Sequence, residues 1–219
     1  MYRSKLLEEE NRLFLERSLL ANLSSNDEFT NIRVINSPRA VGDIVEELIK
    51  EEFARCVPAG LLENFNSAFA RRAMADFAFN DIVGNYFRVD VKTHNKSTSF
   101  NMPNLTSVER LSRFYEDDAN YFMILFVEYE ILDDRLAFAK ISFRPIEHFK
   151  WSCLTIGALG WGQIQIANAN SISFEDSSRR RWMLELCDAL ELFYPKEIDK
   201  IVGRLERFRE VRKFWESKA

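Results

Sequence analysis

The segment that most constrains this chain runs from Ala75 to Thr93. An apolar run, Phe77-Ala78-Phe79, is followed by Asn80-Asp81 and Gly84-Asn85, residue types that favour a tight connection. Then comes Tyr86-Phe87-Arg88-Val89-Asp90-Val91-Lys92-Thr93. The arrangement predicts a β-hairpin over 76–93. Side chains alternate across a strand, so Val89, Val91 and Thr93 share one face while Asp90, Lys92 and His94 share the other. The surrounding residues are apolar, which predicts a largely buried strand. A buried aspartate or lysine without a partner costs several kcal/mol or changes its protonation state.

An isolated D-x-K triplet is most often a solvated strand face. Here a second acid, Asp76, sits just before the apolar run, and hairpin pairing carries its carboxylate toward Asp90. Like charges that close repel unless a cation lies between them. A hard cation such as Mg²⁺ takes oxygen ligands. Two carboxylates and a lysine on adjacent strands therefore suit metal-dependent hydrolysis of a phosphodiester. The carboxylates hold the ion, and the lysine orients or deprotonates the attacking water or offsets the charge developing on phosphate. Asp81 competes with Asp76 as the first acid, but its neighbours favour a turn role. His94 continues the ionic face, as a phosphate contact or as an ordinary strand-end histidine.

These residues resemble the PD-(D/E)XK nucleases, with Ala75 in place of the usual proline. More narrowly, Val91-Lys92-Thr93, Met102-Pro103-Asn104 and Gly162-Gln163-Ile164-Gln165-Ile166 resemble the EcoRV/HincII-like branch of type II restriction endonucleases. Upstream, Gly42-Asp43-Ile44-Val45-Glu46 resembles the start of that branch's helix with an active-site glutamate. The four pieces occur in the family's order, and the resemblance covers residues 38 to 195. It implies an α/β, restriction-endonuclease-like fold with a central mixed β-sheet flanked by α-helices. It also implies Mg²⁺ on Asp76, Asp90 and the Val91 carbonyl, with Lys92 and Glu46 completing the catalytic set; Glu47 is the adjacent alternative to Glu46. Site-specific cleavage of both strands of double-stranded DNA calls for a homodimer. A protective DNA methyltransferase would belong to the same system.

Candidate DNA contacts follow from the same segments. Asn101 and Asn104 carry amides able to read base edges. By resemblance Asn104 contacts bases, and Asn101 falls where a relative wedges a side chain between base steps. Gly157, Gly160 and Gly162 surround Trp161, which predicts either close backbone approach to a groove or a bulged hairpin. Gln163, Thr93 and His94 complete the DNA-facing set, and Arg71, Arg72 and the run Arg179-Arg180-Arg181 are phosphate-clamp candidates.

The chain has 219 residues, enough for one domain with a real core. Nineteen phenylalanines against seven glycines and five prolines mark an ordered protein. A net charge of −4 and a pI near 5.4 run against DNA binding in bulk, leaving a local basic cleft to do the work. Three scattered cysteines give no zinc pattern and fit a reducing cytoplasm. The start, Met-Tyr-Arg-Ser-Lys followed by acidic residues, predicts no signal peptide, and no apolar run approaches the roughly 20 residues of a membrane span.

Periodicity predicts helices over 4–21, over 37–56 capped by Ser37-Pro38, over 60–73 and over 105–117. Strands are expected at Tyr121–Ile131, Leu136–Phe143 and Gln163–Ala167, with a short helix over 145–150. Asp176-Ser177-Ser178 caps a helix to Phe193, and Pro195 starts another. The recognition segments lie at about 95–105 and 155–168, and the C-terminal helices at 176–217, within a single domain, 1–219. The rival readings are a repair or junction-resolving nuclease of the same fold and a non-catalytic DNA-binding protein that kept it.

Overall fold

A computed structural model describes residues 4–25, 37–67, 74–132 and 135–218. Arg71 and Arg72 lie outside the described residues, as do Asp133 and Asp134, where the sequence predicts a turn.

The architecture is mixed α/β. Five strands form the main sheet: β1 (Leu62–Asn66), β2 (Phe77–Asp81), β3 (Tyr86–Asn95), β5 (Asn120–Leu132) and β6 (Arg135–Pro145). Their order is β1-β2-β3-β5-β6. β2 and β3 pair antiparallel as the expected hairpin, and β3 pairs parallel with β5. A second, three-stranded sheet joins β4 (Asn104–Ser107), β8 (Gln163–Ile166) and β7 (Leu154–Gly157) in that order.

Helix α1 (Glu9–Ser24) and helix α2 (Pro38–Cys56) cover one face of the main sheet. Ser37 caps α2, its hydroxyl accepting from the Ala40 amide, with Pro38 in the first turn. Phe53 is fully buried and tilts onto Phe77 and Phe79 of β2 and Phe143 of β6, which fixes α2 against two strands. Inside the same layer Arg12 pairs with Glu16, whose carboxylate accepts from the Phe143 amide. The opposite face is covered by the small sheet, by helix α3 (Val108–Phe114) and by the first turns of helix α4 (Arg179–Glu216). β5, buried on both faces, accordingly reads as an unbroken apolar run.

Three expected helices change. Residues 62–66 form strand β1, not a helix. A register shift between Glu63 and Asn66, with Asn64 at φ 48°, turns both Leu62 and Phe65 toward the core. That bulge gives a strand the i, i+3 spacing of a helix. Residues 104–107 are strand β4, and the helix starts only at Val108. Last, α4 runs unbroken for 38 residues with Pro195 inside it. Proline removes one backbone hydrogen bond, and at this solvent-facing turn the freed carbonyl has water to bond. Only Trp182 and Leu186 of α4 are buried. Ile198, Ile201, Val202, Leu205 and Phe208 leave a solvent-facing apolar stripe along its second half.

Among the described residues no helix is long and apolar enough to cross a membrane. Cys56 and Cys153 are buried free thiols and Cys187 is an exposed one.

Candidate active site

The hairpin brings four of the expected residues together. Asp76 lies just before β2, where its amide donates to Val89 O at 2.9 Å. That bond holds its carboxylate against β3, where Oδ2 accepts from the Val91 amide at 2.6 Å. Asp90 and Lys92 stand two residues apart on β3, and Lys92 Nζ lies 2.7 Å from both Asp90 oxygens. Nζ donates to Asp90 Oδ1, and at 3.3 Å to Val91 O. Asp90 Oδ2, although buried, receives no hydrogen bond of proper geometry.

The electrostatics follow from this packing. Burial, with the charges of Asp76 and Glu46 adding to it, outweighs the pull of Lys92 and leaves the Asp90 pKa raised to about 7. Burial works against the Lys92 ammonium, but the Asp90 carboxylate outweighs it and the lysine pKa ends raised, with Asp76 and Glu46 contributing. Asp76, Asp90, Lys92 and Glu46 therefore share one electrostatic neighbourhood.

Glu46 comes from α2 and forms an ion pair with Lys50 one turn later. Glu47 also reaches Lys50, but its side chain is 70% exposed and it does not figure in the electrostatics of Asp90 or Lys92. Gly42, on the same helix, allows close packing on β3: a Cβ there would stand 3.3 Å from Thr93 Oγ1. Thr93 thus faces α2, on the strand face opposite Lys92.

Asp81 is a turn residue. Its carboxylate accepts from the amides of Val83 and Asn85 and from the Asn85 side chain. With all those donors it has no role left as a metal ligand.

The donor set suits Mg²⁺ better than a transition metal. Among the described residues no three His, Cys, Asp or Glu side chains converge on a possible metal position. The oxygens at hand are the Asp90 carboxylate and the Val91 carbonyl, both touched by Lys92 Nζ, and the Asp76 carboxylate on the Val91 amide. Mg²⁺ characteristically takes one or two carboxylates and fills its remaining positions with water and phosphate oxygens.

Several expected DNA contacts turn out otherwise. His94 is buried, its Nε2 2.9 Å from Asn170 Oδ1 and its Nδ1 3.3 Å from Asn101 Nδ2. Asn170 Nδ2 already donates to Thr98 O and Ser99 O, so Asn170 offers its oxygen to the ring. Nε2 then donates to Asn170, and Nδ1 faces the Asn101 amide. His94 is a bracket for the 96–103 loop and presents nothing to a phosphate. Asn101 is turned inward with it, which removes it as a wedge; the exposed side chains on either side are Phe100 and Met102. Asn170 was not apparent in the sequence because nothing local marks a residue 76 positions from His94 as its partner.

Asn104 stays exposed on β4, its amide oxygen accepting from Gln165 across the small sheet. Gln163 pairs through its backbone with Gly157 and Ser107. Gly160 and Gly162 lie in the β7–β8 connection at φ 60° and 117°, conformations that favour glycine. Trp161 projects from this hairpin tip, 58% exposed, and its carbonyl accepts from Tyr194 Oη of α4 at 2.6 Å. Arg179 is no clamp. It pairs with buried Glu147 and stacks on Tyr115 and Tyr121. Arg180 and Arg181 are both exposed, and Arg181 is engaged by Glu175 and Glu185.

Neither a protein-family model nor a curated protein matches this chain.

Proposed function

We propose that this chain is a Mg²⁺-dependent type II restriction endonuclease with a restriction-endonuclease-like fold, cutting both strands of a short palindromic site in double-stranded DNA. The observation that carries the reading is the placement of Asp76, Asp90 and Lys92 on one hairpin, with Lys92 Nζ against Asp90 and the Val91 carbonyl and Asp76 bonded to the Val91 amide. An antiparallel hairpin followed by a parallel neighbour in a mixed sheet supports the fold assignment.

Asp76 and Asp90 would hold Mg²⁺, with the Val91 carbonyl as a third protein oxygen. When bound, the ion acidifies water and offsets charge on the leaving oxygen. Lys92 Nζ, anchored by Asp90, orients the attacking water and faces the charge that grows on the phosphate oxygens. The bond from phosphorus to the 3′ oxygen breaks, and the 5′ product keeps the phosphate. Glu46 adds negative charge next to the ammonium and helps keep it protonated.

Asn104 and the Trp161 hairpin are the base-reading elements in this proposal, with Phe100 and Met102 as the apolar side chains suited to part base steps. Cutting two strands requires two active sites, and the uncovered stripe on α4 supports self-association as a homodimer. A methyltransferase marking the same site would protect the host DNA.

Digestion of unmethylated phage DNA with Mg²⁺ tests this. The expected result is a set of discrete fragments with 5′ phosphates, abolished in folded Asp90→Ala and Lys92→Ala variants. Cleavage confined to branched or nicked DNA would favour a repair or junction-resolving enzyme. Wild-type rates in either variant would remove the site assignment.

A further inference from the structure

A cleft of about 440 Å³ lies beside the catalytic hairpin, lined by Met74, Arg88, Arg110, Arg113, Phe114 and Asn120. Arg88 is its anchor. It sits on the same face of β3 as Asp90, two residues earlier, so its Cα is about 7 Å from that of Asp90. Its guanidinium lies over an edge-to-face ring pair, 4.9 Å from the Phe114 centroid and 5.6 Å from that of Tyr86. Its Nη1 meets only the weak acceptor Met74 Sδ at 3.7 Å, and its buried Nε has no hydrogen-bond partner.

No carboxylate pairs with Arg88 among the described residues. A half-buried guanidinium normally finds one, because arginine stays charged and its forked donors need acceptors. Arg110 and Arg113 project from α3 into the same cleft, with Glu109 the one acid that pairs with Arg113. Three guanidinium groups and an amide thus line the cleft, and among them Arg88 is the one whose Nη1 meets only sulfur and whose buried Nε meets no acceptor.

We propose that the Arg88–Arg110–Arg113 cleft binds a phosphate group. The flat ring-stacked guanidinium of Arg88 presents donors to its oxygens, and Arg110 and Arg113 close on it from α3. Tyr86 and Phe114 keep Arg88 extended, so little side-chain freedom is lost on binding. The proposal extends the nuclease reading, on which the natural source of the phosphate rests. Phosphates rise about 3.4 Å per nucleotide along one DNA strand, so a group in this cleft would lie within a few nucleotides of the scissile bond. A free phosphate compound offers the same chemistry.

Two titrations on the full chain separate these sources. Inorganic phosphate is titrated while phosphorus NMR line width is followed, and a short random duplex is titrated with Ca²⁺ at several salt concentrations. The variants are Arg88→Met, which keeps the apolar stem against the rings, and Arg110→Ala/Arg113→Ala, which changes only outer positions of the cleft. Phosphate affinity is expected to fall about tenfold or more in both. If DNA is the source, the slope of log K against log salt also becomes shallower by about 1 in Arg88→Met. Loss of phosphate binding with an unchanged DNA slope, or with no DNA binding by any form, keeps the cleft as a phosphate site and assigns it to a free compound. Wild-type protein that binds neither phosphate nor DNA in an Arg88-dependent way overturns the proposal. Far-UV circular dichroism confirms that each variant is folded.

Discussion

The raised Asp90 pKa makes a quantitative prediction about the metal-free protein. In the unfolded chain this carboxyl titrates at its ordinary value, 3.8, and in the folded protein at about 7. Between those values the folded state holds a proton that the unfolded state has released. Asp90 therefore favours folding most fully below pH 4, and that contribution is lost as pH rises to about 7. One pH unit of proton linkage corresponds to about 1.36 kcal/mol, so the rise from 3.8 to about 7 amounts to roughly 4 kcal/mol across the window.

Other carboxylates change stability over the same range, so the comparison is with Asp90→Asn. Urea unfolding of both proteins is measured in EDTA at several pH values from 5 to 8. The stability of wild type relative to the variant is expected to fall by about 1.4 kcal/mol per pH unit up to pH 7 and then to level off. If Asp90 holds Mg²⁺ as proposed, the ion needs the ionised carboxylate, and its apparent affinity should drop about tenfold per pH unit below pH 7. A stability difference that stays flat from pH 5 to 8 would refute the argument. It would mean that Asp90 is ionised throughout and that Lys92 fully compensates its burial.

Three further outcomes are expected. Phe53→Ala, which empties the space against Phe77, Phe79 and Phe143, should cost about 3–5 kcal/mol in urea unfolding. Gly162→Ala forces a Cβ to 2.9 Å from Ile156 Cγ2 at φ 117°, and should lower stability by about 1–3 kcal/mol, read as a lower thermal midpoint. Tyr194→Phe removes the brace on the Trp161 carbonyl, which should cost about 1 kcal/mol and speed amide exchange at the 158–162 tip while the β2–β3 hairpin keeps its protection.

Where a feature depended on local chemistry, the sequence was readable. Ser37-Pro38 and Ser178 cap helices because capping needs only a hydroxyl three residues from an amide. β5 and the β2–β3 hairpin follow from apolar runs and turn residues. Where the signal was a periodicity, a local distortion could mimic another structure. The bulge at β1 placed Leu62 and Phe65 like residues on a helix face. Pro195 marks a helix start when solvent cannot help, but in an exposed helix it is only a missing bond.

The site divides the same way. Asp90 and Lys92 are neighbours on one strand face, so their pairing follows from alternation alone. Asp76 needed a non-local fact: its amide and carboxylate both bond β3, at Val89 O and Val91 N, and this brings it onto the face of Asp90. Sequence could nominate Asp76 but could not separate it from Asp81 by geometry; three donors surrounding Asp81 do so. The DNA-facing residues fared worst, since Asn101, His94 and Arg179 look polar and available until their partners are known. His94 is committed to Asn170, and Arg179 to Glu147, by contacts 76 and 32 residues apart. Arg88 is the converse case. It stands in plain alternation with Asp90 and Lys92, yet only the neighbouring rings and the absence of a carboxylate partner among the described residues suggest the anion site proposed for it.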